Sequence, residues 1–161
     1  MLTIRFAENS DANALTQLIN AAFEVERPFI GADRIDREGT LKYLSTGRFL
    51  LLEGAATLVG CVYLEKQSDR MYLGLLCIDP AQQGKGLGRK LMDAAEEFAV
   101  NAGCVAIDLR TISPRTDIQP FYAHLGYAVT GTSPMPAEIL MAVPAHFVHM
   151  SKSLQKAQEV R

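Results

Sequence analysis

The sequence predicts a fold of the broad α/β class, more narrowly α+β, in which helices flank a mixed, mostly antiparallel central sheet. Three apolar strand segments between residues 48 and 79 are separated by turns of two to four residues, a length typical of hairpins. An amphipathic helix and another apolar strand follow, and a strand, helix, strand unit places its two strands parallel. We therefore expect one parallel pair within an otherwise antiparallel sheet. A single domain should span residues 1–154, followed by a polar tail at 155–161.

The first half of the chain predicts one strand, two helices and a three-stranded meander. Apolar and polar residues alternate over 2–7, and the Asn-Ser-Asp that follows supplies capping side chains for a helix with Leu15, Leu18 and Ile19 on one side. This helix should end near Pro28. In order, we expect a strand at 2–7, that helix, a weaker helix at 35–45, and strands at 48–53, 58–67 and 70–79.

The second half predicts a long and a short helix between three further strands. Leu87, Leu91 and Phe98 recur at helical spacing until Gly103, a residue type that commonly ends helices. Three prolines predict a loop at 131–144. In order, we expect a helix from 87 to Gly103, a strand at 104–112, a short helix at 117–125, a strand that begins at Tyr127, the loop, and a last strand at 145–154.

Composition and charge exclude several classes of protein. The 161 residues are 48% hydrophobic and 21% charged, as in globular proteins. A formal net charge of −2 provides no overall field that would attract nucleic acid or an anionic membrane. Glu53, Gly54 and Gly60 interrupt the longest apolar stretch, so we expect no membrane span. Any polyanionic ligand must therefore be bound locally.

The cysteines and histidines indicate neither disulfides nor a metal site. Cys61, Cys77 and Cys104 are far apart, odd in number and surrounded by apolar residues, as expected of buried thiols in a reducing compartment. The three histidines lack ligand-type spacing, so we expect no metal. Residues 1–11 show no secretory signal pattern, and we expect a cytoplasmic protein.

The most informative segment is DPAQQGKGLGRKLM, which leads into the predicted long helix. Gly84, Gly86 and Gly88 would let a ligand approach main-chain N–H groups, and a helix N-terminus adds free donors and a positive partial charge. The segment therefore predicts an anion site. It lacks the spacing of a P-loop. A dinucleotide fingerprint is disfavoured because Gly88 comes one residue early, although Asp108 lies where such a site needs an acid.

Two motifs together resemble the GNAT superfamily of N-acetyltransferases. Gln83, Gly86 and Gly88 match Q/R-x-x-G-x-G/A, the pattern of that family's acyl-CoA pyrophosphate loop. The segment FYAHLGY at 121–127 resembles its second motif, in which a tyrosine precedes a Leu-Gly-aromatic turn. The order of predicted elements resembles the family over most of the chain. The resemblance implies that the two parallel strands splay apart.

The resemblance also implies that the chain binds acetyl-CoA, the acyl donor. The pantetheine arm would lie between the splayed strands, and the pyrophosphate on main-chain N–H groups of the glycine loop. The side chain of Gln83 would shape the turn. The positions that match the family's cofactor site are Leu76, Cys77, Ile78, Gln83, Gly84, Lys85, Gly86, Leu87, Gly88 and Arg89.

By the same resemblance, Tyr122 is the catalytic residue. It would donate a proton to the thiolate that leaves when an amine attacks the thioester, and the Ile78 N–H would stabilise the oxyanion. An ordinary amine is protonated at neutral pH, so a base is needed as well. Residues 72–78 carry no carboxylate, so no base is assigned there. The alternative for Tyr122 is a half-buried aromatic beside Phe121.

The other candidate site residues each have two possible roles. Arg115 stands where many relatives have asparagine, seven residues before the tyrosine, and would either reach a CoA phosphate or cap a helix. Glu24 and Glu26 lie in an acidic linker and could bind or deprotonate a cationic amine, although solvated surface acids are the simpler interpretation. Cys77 as an acyl-carrying nucleophile is less favoured than Cys77 as a buried thiol.

We therefore expect an N-acetyltransferase that transfers the acetyl group of acetyl-CoA to a primary amine of a small molecule or peptide, by direct attack in a ternary complex. The alternative is a catalytically silent module that binds acyl-CoA as a sensor or scaffold. The sequence does not identify the acceptor, because one fold serves many substrates. The resemblance also implies a homodimer, because many members of the family form dimers, but no pattern of surface residues in this sequence requires one.

Overall fold

The computed structural model describes residues 1–154, which form a mixed sheet with helices on both faces. The elements are β1 Leu2–Phe6, α1 Ala12–Ala22, α2 Arg37–Thr46, β2 Arg48–Gly54, β3 Thr57–Gln67, β4 Arg70–Ile78, α3 Leu87–Asn101, β5 Ala106–Ile112, α4 Ile118–His124, β6 Ala128–Pro134 and β7 His146–Ser153. The strand order is β1-β2-β3-β4-β5-β7-β6. The polar tail predicted at 155–161 lies outside the described residues.

The predicted fold class is confirmed, and β4 and β5 form the parallel pair. Two predicted boundaries differ from the structure by more than two residues. The helix α1 ends at Ala22 rather than near Pro28, and a 3-10 turn over Phe23–Glu26 follows it. Residues 131–134, predicted as loop, complete β6. Proline is tolerated at the end of β6 because this edge strand pairs only with β7 among the described strands.

Two apolar clusters lie on opposite faces of the sheet. Leu50 and Leu52 of β2 point to the face covered by α3, whereas Leu51 of β2 and Cys61 of β3 point to the face covered by α1. Since successive side chains of a strand alternate between faces, both faces of the central strands are buried, which explains their unbroken apolar sequence. Within residues 1–154, no helix has the length and apolar content needed to cross a bilayer.

Candidate active site

The strands β4 and β5 pair only at their beginnings. Arg70–Tyr72 of β4 are in register with Ala106–Asp108 of β5, and within the described residues no pairing between these strands continues further. A β-bulge interrupts the β3–β4 ladder around Leu75, whose φ of 52° lies in the left-handed region. A bulge bends the strand that contains it, so the second half of β4 turns away from β5. The opening between parallel strands is therefore present.

The end of β4 presents a backbone donor to this opening. Asp79 N–H donates to the Val59 carbonyl across the β3–β4 ladder at 2.7 Å. Successive N–H groups of a strand point to opposite sides, so the Ile78 N–H points away from β3 and into the opening. The Ile78 carbonyl accepts a hydrogen bond from Gln83 Nε2 at 3.2 Å, which ties the following loop to the strand. Gln83 thus shapes the turn.

The glycine loop has the backbone geometry of an anion site. Gly84 and Gly86 have φ values of 83° and 76°, at which a side chain is strained, and no heavy atom lies within 4 Å of either Cβ position. Gly86 caps α3, so the N–H groups of 87–89 precede the first helical hydrogen bond, from Lys90 N–H to the Gly86 carbonyl. These free N–H donors, together with the open space at Gly84 and Gly86, could accommodate a phosphate group.

Gly88 is required for a different reason. Its φ is outside the left-handed region, but a Cβ there would lie 3.3 Å from Cζ of Phe121 on α4. The glycine therefore allows α3 and α4 to approach each other. This contact links the two sequence motifs directly, since Phe121 precedes Tyr122.

A cleft of about 460 Å³ extends from the glycine loop along the strand opening to the 3-10 turn after α1. Its wall contains all the predicted cofactor-binding residues except Lys85, namely Leu76, Cys77, Ile78, Gln83, Gly84, Gly86, Leu87, Gly88, Arg89 and Arg115. The Lys85 ammonium instead donates to Gln82 Oε1 at 2.9 Å. Tyr122 and Glu26 also line this cleft.

Tyr122 is buried but has an available hydroxyl. Only 6% of the residue is exposed, and its ring packs against Phe121 and Tyr127. Within residues 1–154, every polar side-chain atom that is fully enclosed by protein has a hydrogen-bond partner. The Tyr122 hydroxyl has no such partner among these residues, so it is not fully enclosed. The hydroxyl must therefore contact the cleft. Burial raises the pKa of Tyr122, so it remains protonated at neutral pH.

The second tyrosine of the FYAHLGY motif has a structural role. Tyr127 donates its hydroxyl to Glu96 Oε2 of α3 at 3.0 Å, and Lys152 of β7 donates to the other oxygen of Glu96 at 2.9 Å. Gly126, at φ 100°, turns the chain so that Tyr127 N–H reaches the Tyr122 carbonyl. This network fastens α4 to α3 and β7, and so fixes Tyr122 in the cleft wall.

Glu26 and Arg115 form a buried ion pair in the cleft wall, where the 3-10 turn after α1 reaches the cleft. Arg115 Nη1 donates to Glu26 Oε2 at 2.9 Å, and Arg115 Nε donates to Asp117 Oδ1 at 2.9 Å. The Glu26 and Arg115 side chains are 12% and 11% exposed. Burial raises the pKa of Glu26 more than the charge of Arg115 lowers it. No partner is found for Glu26 Oε1 among the described residues, and this oxygen is free to contact a ligand.

The other linker acids are used locally. Glu24 is exposed and accepts a hydrogen bond from Arg27 Nε at 2.7 Å, and Asp33 pairs with the same arginine. Asp36 accepts a hydrogen bond from the first turn of α2 at 2.7 Å. The structure thus brings Glu26 to the cleft and leaves Glu24 at the surface.

Cys77 lines the cleft as a neutral thiol. It is 2% exposed and lies opposite Cys61 in the β3–β4 ladder. Burial raises its pKa well above the ordinary value, whereas a nucleophilic cysteine needs a lowered pKa. This favours the interpretation of Cys77 as a buried thiol. Among residues 1–154, no group of three or more His, Cys, Asp or Glu side chains has a metal-binding arrangement.

Sequence reasoning missed several residues of the cleft wall. Phe23, Arg110 and Thr111 all line it. Arg110 and Thr111 could have been predicted from the sequence, because they lie in the second half of β5, which must border any opening between β4 and β5. Phe23 could not, since it reaches the cleft only through the 3-10 turn that follows α1.

Residues 12–127 match the model of the Acetyltransferase (GNAT) family. The match covers more than half of the chain and contains both the glycine loop and the FYAHLGY motif. The fold and the cleft define an acetyl-CoA-dependent acetyltransferase. The chain belongs to the GNAT acetyltransferase family.

Several solved structures share the fold. A candidate N-acetyltransferase from Lactobacillus plantarum is 29% identical, with a TM-score of 0.73 over 95% of this chain and 98% of that chain. A candidate acetyltransferase from Salmonella typhimurium, solved with its cofactor acetyl-CoA, is 24% identical, with a TM-score of 0.76 over 96% and 94%. The PaiA N-acetyltransferase from Thermoplasma acidophilum, solved with coenzyme A, is 18% identical, with a TM-score of 0.76 over 95% and 99%.

Proposed function

We propose that this protein transfers the acetyl group of acetyl-CoA to a primary amine of a small molecule or peptide, by direct attack in a ternary complex. The observation that carries the proposal is the available hydroxyl of Tyr122 in the same cleft as the glycine loop and the Ile78 N–H. A protein that only held CoA would need the loop and the opening. It would have no need for a hydroxyl donor beside them.

The cofactor end of the cleft fits acetyl-CoA, which supplies the acetyl group as a thioester. The N–H groups of 87–89 and the open space at Gly84 and Gly86 suit the pyrophosphate, and the backbone of 76–78 suits the amide-bearing pantetheine arm. Two structurally similar proteins are solved with acetyl-CoA or coenzyme A, which supports this assignment. The contacts of Arg115 with two carboxylates favour a role in holding Glu26 over a contact with phosphate.

Two donors of the chain serve the reacting thioester. The Ile78 N–H would stabilise negative charge that develops on the carbonyl oxygen. The Tyr122 hydroxyl would donate to the sulfur as the carbon–sulfur bond breaks. A thiol has an ordinary pKa of about 8.5 and is a stronger acid than this buried phenol. Tyr122 therefore contributes chiefly a hydrogen bond to the leaving thiolate.

Glu26 is the proposed base. Its Oε1 would take a proton from the amine, directly or through one water molecule. A raised pKa makes this carboxylate a stronger base than an ordinary glutamate, while Arg115 keeps its other oxygen in place. No other carboxylate of the linker lines the cleft in the described part of the chain.

The function is tested by measuring thiol release from acetyl-CoA across a panel of amines, with Tyr122→Phe as the decisive variant. Loss of one donor to developing charge should lower kcat about 100-fold and leave the Kd for acetyl-CoA nearly unchanged. Equal losses of kcat and acetyl-CoA affinity would contradict the proposal and make Tyr122 structural.

Tyr127→Phe is the matched control, because it removes the same atom from a neighbouring buried tyrosine. It should lower kcat far less than Tyr122→Phe, since Tyr127 only helps to position Tyr122, and it should cost about 1 kcal/mol of stability because the hydrogen bond to Glu96 is lost. Tight binding of acetyl-CoA without thiol release on any amine would support the acyl-CoA sensor instead.

A further inference from the structure

Two guanidinium groups at or beside the cleft have no carboxylate partner among the described residues: Arg110 lines the cleft, whereas Arg34 lies outside its wall and contacts Phe23, which lines it. The Arg34 guanidinium lies over the ring of Phe23, 5.4 Å from its centroid, and the Arg110 guanidinium lies over the ring of Phe147 at 4.1 Å. Within residues 1–154 neither forms a salt bridge, although several other arginines do. A guanidinium stacked on an aromatic ring is held in place, and because it has several N–H donors, those that Arg110 does not use on the Tyr72 hydroxyl stay available to an anion.

Arg110 lies where two cavities meet. A second cavity, of about 580 Å³, is lined by three tyrosines of the α1/α2 face of the sheet, Tyr43, Tyr63 and Tyr72. Two carboxylates also line it, but Glu65 accepts a hydrogen bond from Tyr63 and Asp108 is paired with Arg70. The second cavity shares Leu109 and Arg110 with the first cleft. Both cavities thus reach the point where β5 separates from β4. An acceptor that enters through the second cavity would pass Arg110 before it reaches the cleft.

The linker brings Arg34 to the same region. Asn20 of α1 makes two hydrogen bonds with the backbone of Ile35, at 2.8 and 3.0 Å, and so anchors the chain beside Arg34. Burial raises the pKa of Tyr72, and the charges of Arg110 and Arg34 both oppose this shift. The two positive charges therefore act on one phenol at the edge of the opening.

Glu26 supplies the opposite charge in the cleft wall. Its Oε2 is occupied by Arg115, but Oε1 is available to an ammonium group. A ligand with only a positive charge would leave the Arg34 and Arg110 donors unused and would be repelled by them. A ligand with an amine and a carboxylate could satisfy both kinds of group.

We propose that the acceptor is a small zwitterion of the amino acid type, with its amine directed to Glu26 and its carboxylate bound by Arg34 and Arg110. This inference rests on the proposed acetyl transfer and specifies its substrate class. The tyrosines of the second cavity would contact the side chain of the acceptor.

The test compares acceptors that differ only in the carboxylate. L-Phenylalanine, L-phenylalaninamide and 2-phenylethylamine form one series, and L-leucine, L-leucinamide and isoamylamine form another. The kcat/KM for acetyl transfer should be at least about tenfold higher for each acid than for its amide or amine, the factor that one charge-assisted hydrogen bond provides. Preference for the amines in both series would overturn the inference.

Arginine variants locate the effect. Arg110→Gln and Arg34→Gln should each raise KM for the amino acids about tenfold and raise KM for the simple amines much less. Arg48→Gln is the matched control for Arg110→Gln, because Arg48 also stacks on a ring, 3.7 Å from the Phe6 centroid, but lines neither cavity, whereas Arg110 lines both. Equal effects of Arg110→Gln on acids and amines would also overturn the inference.

The failure of this inference can be distinguished from the failure of the proposed function. Acetylation of simple amines in preference to amino acids would retain acetyl transfer and reject the zwitterion. If no amine is acetylated, the proposed function fails, and calorimetric binding of the same acids and amines to the CoA-loaded protein decides the inference. Tighter binding of the acids that is lost in Arg110→Gln would support it, and equal binding of acids and amines would overturn it.

Discussion

The two ends of the cleft are made from different parts of the polypeptide. At the cofactor end, the groups that point to the ligand belong to the backbone: the Ile78 N–H, the loop at Gly84 and Gly86, and the free N–H groups of α3. At the acceptor end they belong to side chains, chiefly Glu26, which is held by Arg115. The first end depends on chain conformation, and the second depends on charge.

This difference teaches which substitutions should matter at each end. In the glycine loop, a substitution should change acetyl-CoA binding little, unless the residue has a positive φ or its side chain would contact a close neighbour. A side chain of the acceptor end cannot lose its charge without loss of turnover. Three substitutions test this contrast, in order of decreasing expected effect.

Glu26→Gln should have the largest effect. Removal of the proposed base is expected to lower kcat about 100-fold or more, with acetyl-CoA affinity preserved. The wild-type rate should also fall as the pH decreases through the raised pKa of Glu26, because the carboxylate must be ionised to accept a proton. A pH–rate profile above the ordinary value of 4.5 checks this: the inflection due to Glu26 should be absent from the variant, while the fall in rate caused by protonation of the amine acceptor should remain.

Glu24→Gln is the control for this experiment. Glu24 lies two residues away on the same turn, but it is exposed and paired with Arg27. Its substitution should leave both kcat and the pH profile nearly unchanged. If the two variants behaved alike, the acceptor end would not depend on a specific buried charge.

Gly84→Ala should have an intermediate effect, and it has a closely matched control in Gly103→Ala. Both glycines have a φ of 83° and no heavy atom within 4 Å of the Cβ position. Each substitution should therefore cost about 1–2 kcal/mol of stability. Only Gly84→Ala should also weaken acetyl-CoA binding, by about tenfold, because displaced N–H groups lose a charge-assisted hydrogen bond. Equal Kd values by calorimetry would show that the loop geometry is not used for binding.

The same contrast explains how much the sequence could predict. The glycine loop follows from a short contiguous pattern, because glycine spacing reports directly on backbone conformation. The strand opening and the role of Tyr122 were expected only from the resemblance to the GNAT family, whose motifs are also short and contiguous. The fold class and the parallel β4–β5 pair follow from apolar periodicity. Residues 131–134 were wrongly predicted as loop because proline signals a break, whereas an edge strand tolerates it.

The acceptor end could not be predicted in the same way. The pairing of Glu26 with Arg115 joins residues 89 positions apart, and no local pattern encodes it. The linker acids looked alike in sequence, but Glu24 pairs locally and Asp36 caps a helix. Only tertiary packing separates the one carboxylate that enters the cleft from those that remain outside. From the sequence, a cation site at Glu24 and Glu26 therefore remained the alternative to solvated surface acids, and the fold leaves only Glu26 as a candidate for such a site.

Lys85→Gln should have the smallest effect and gives the strictest test of a backbone-built cofactor end. Lys85 lies between Gly84 and Gly86, but its ammonium donates to Gln82 and the residue does not line the cleft. An exposed charge of this kind contributes about 0.2–1 kcal/mol, so Kd for acetyl-CoA should rise less than about fivefold, and this rise should diminish at high salt. Arg89→Gln, within the cleft wall, should raise Kd more. A loss in Lys85→Gln larger than that in Gly84→Ala would show that charge, and not loop conformation, dominates cofactor binding.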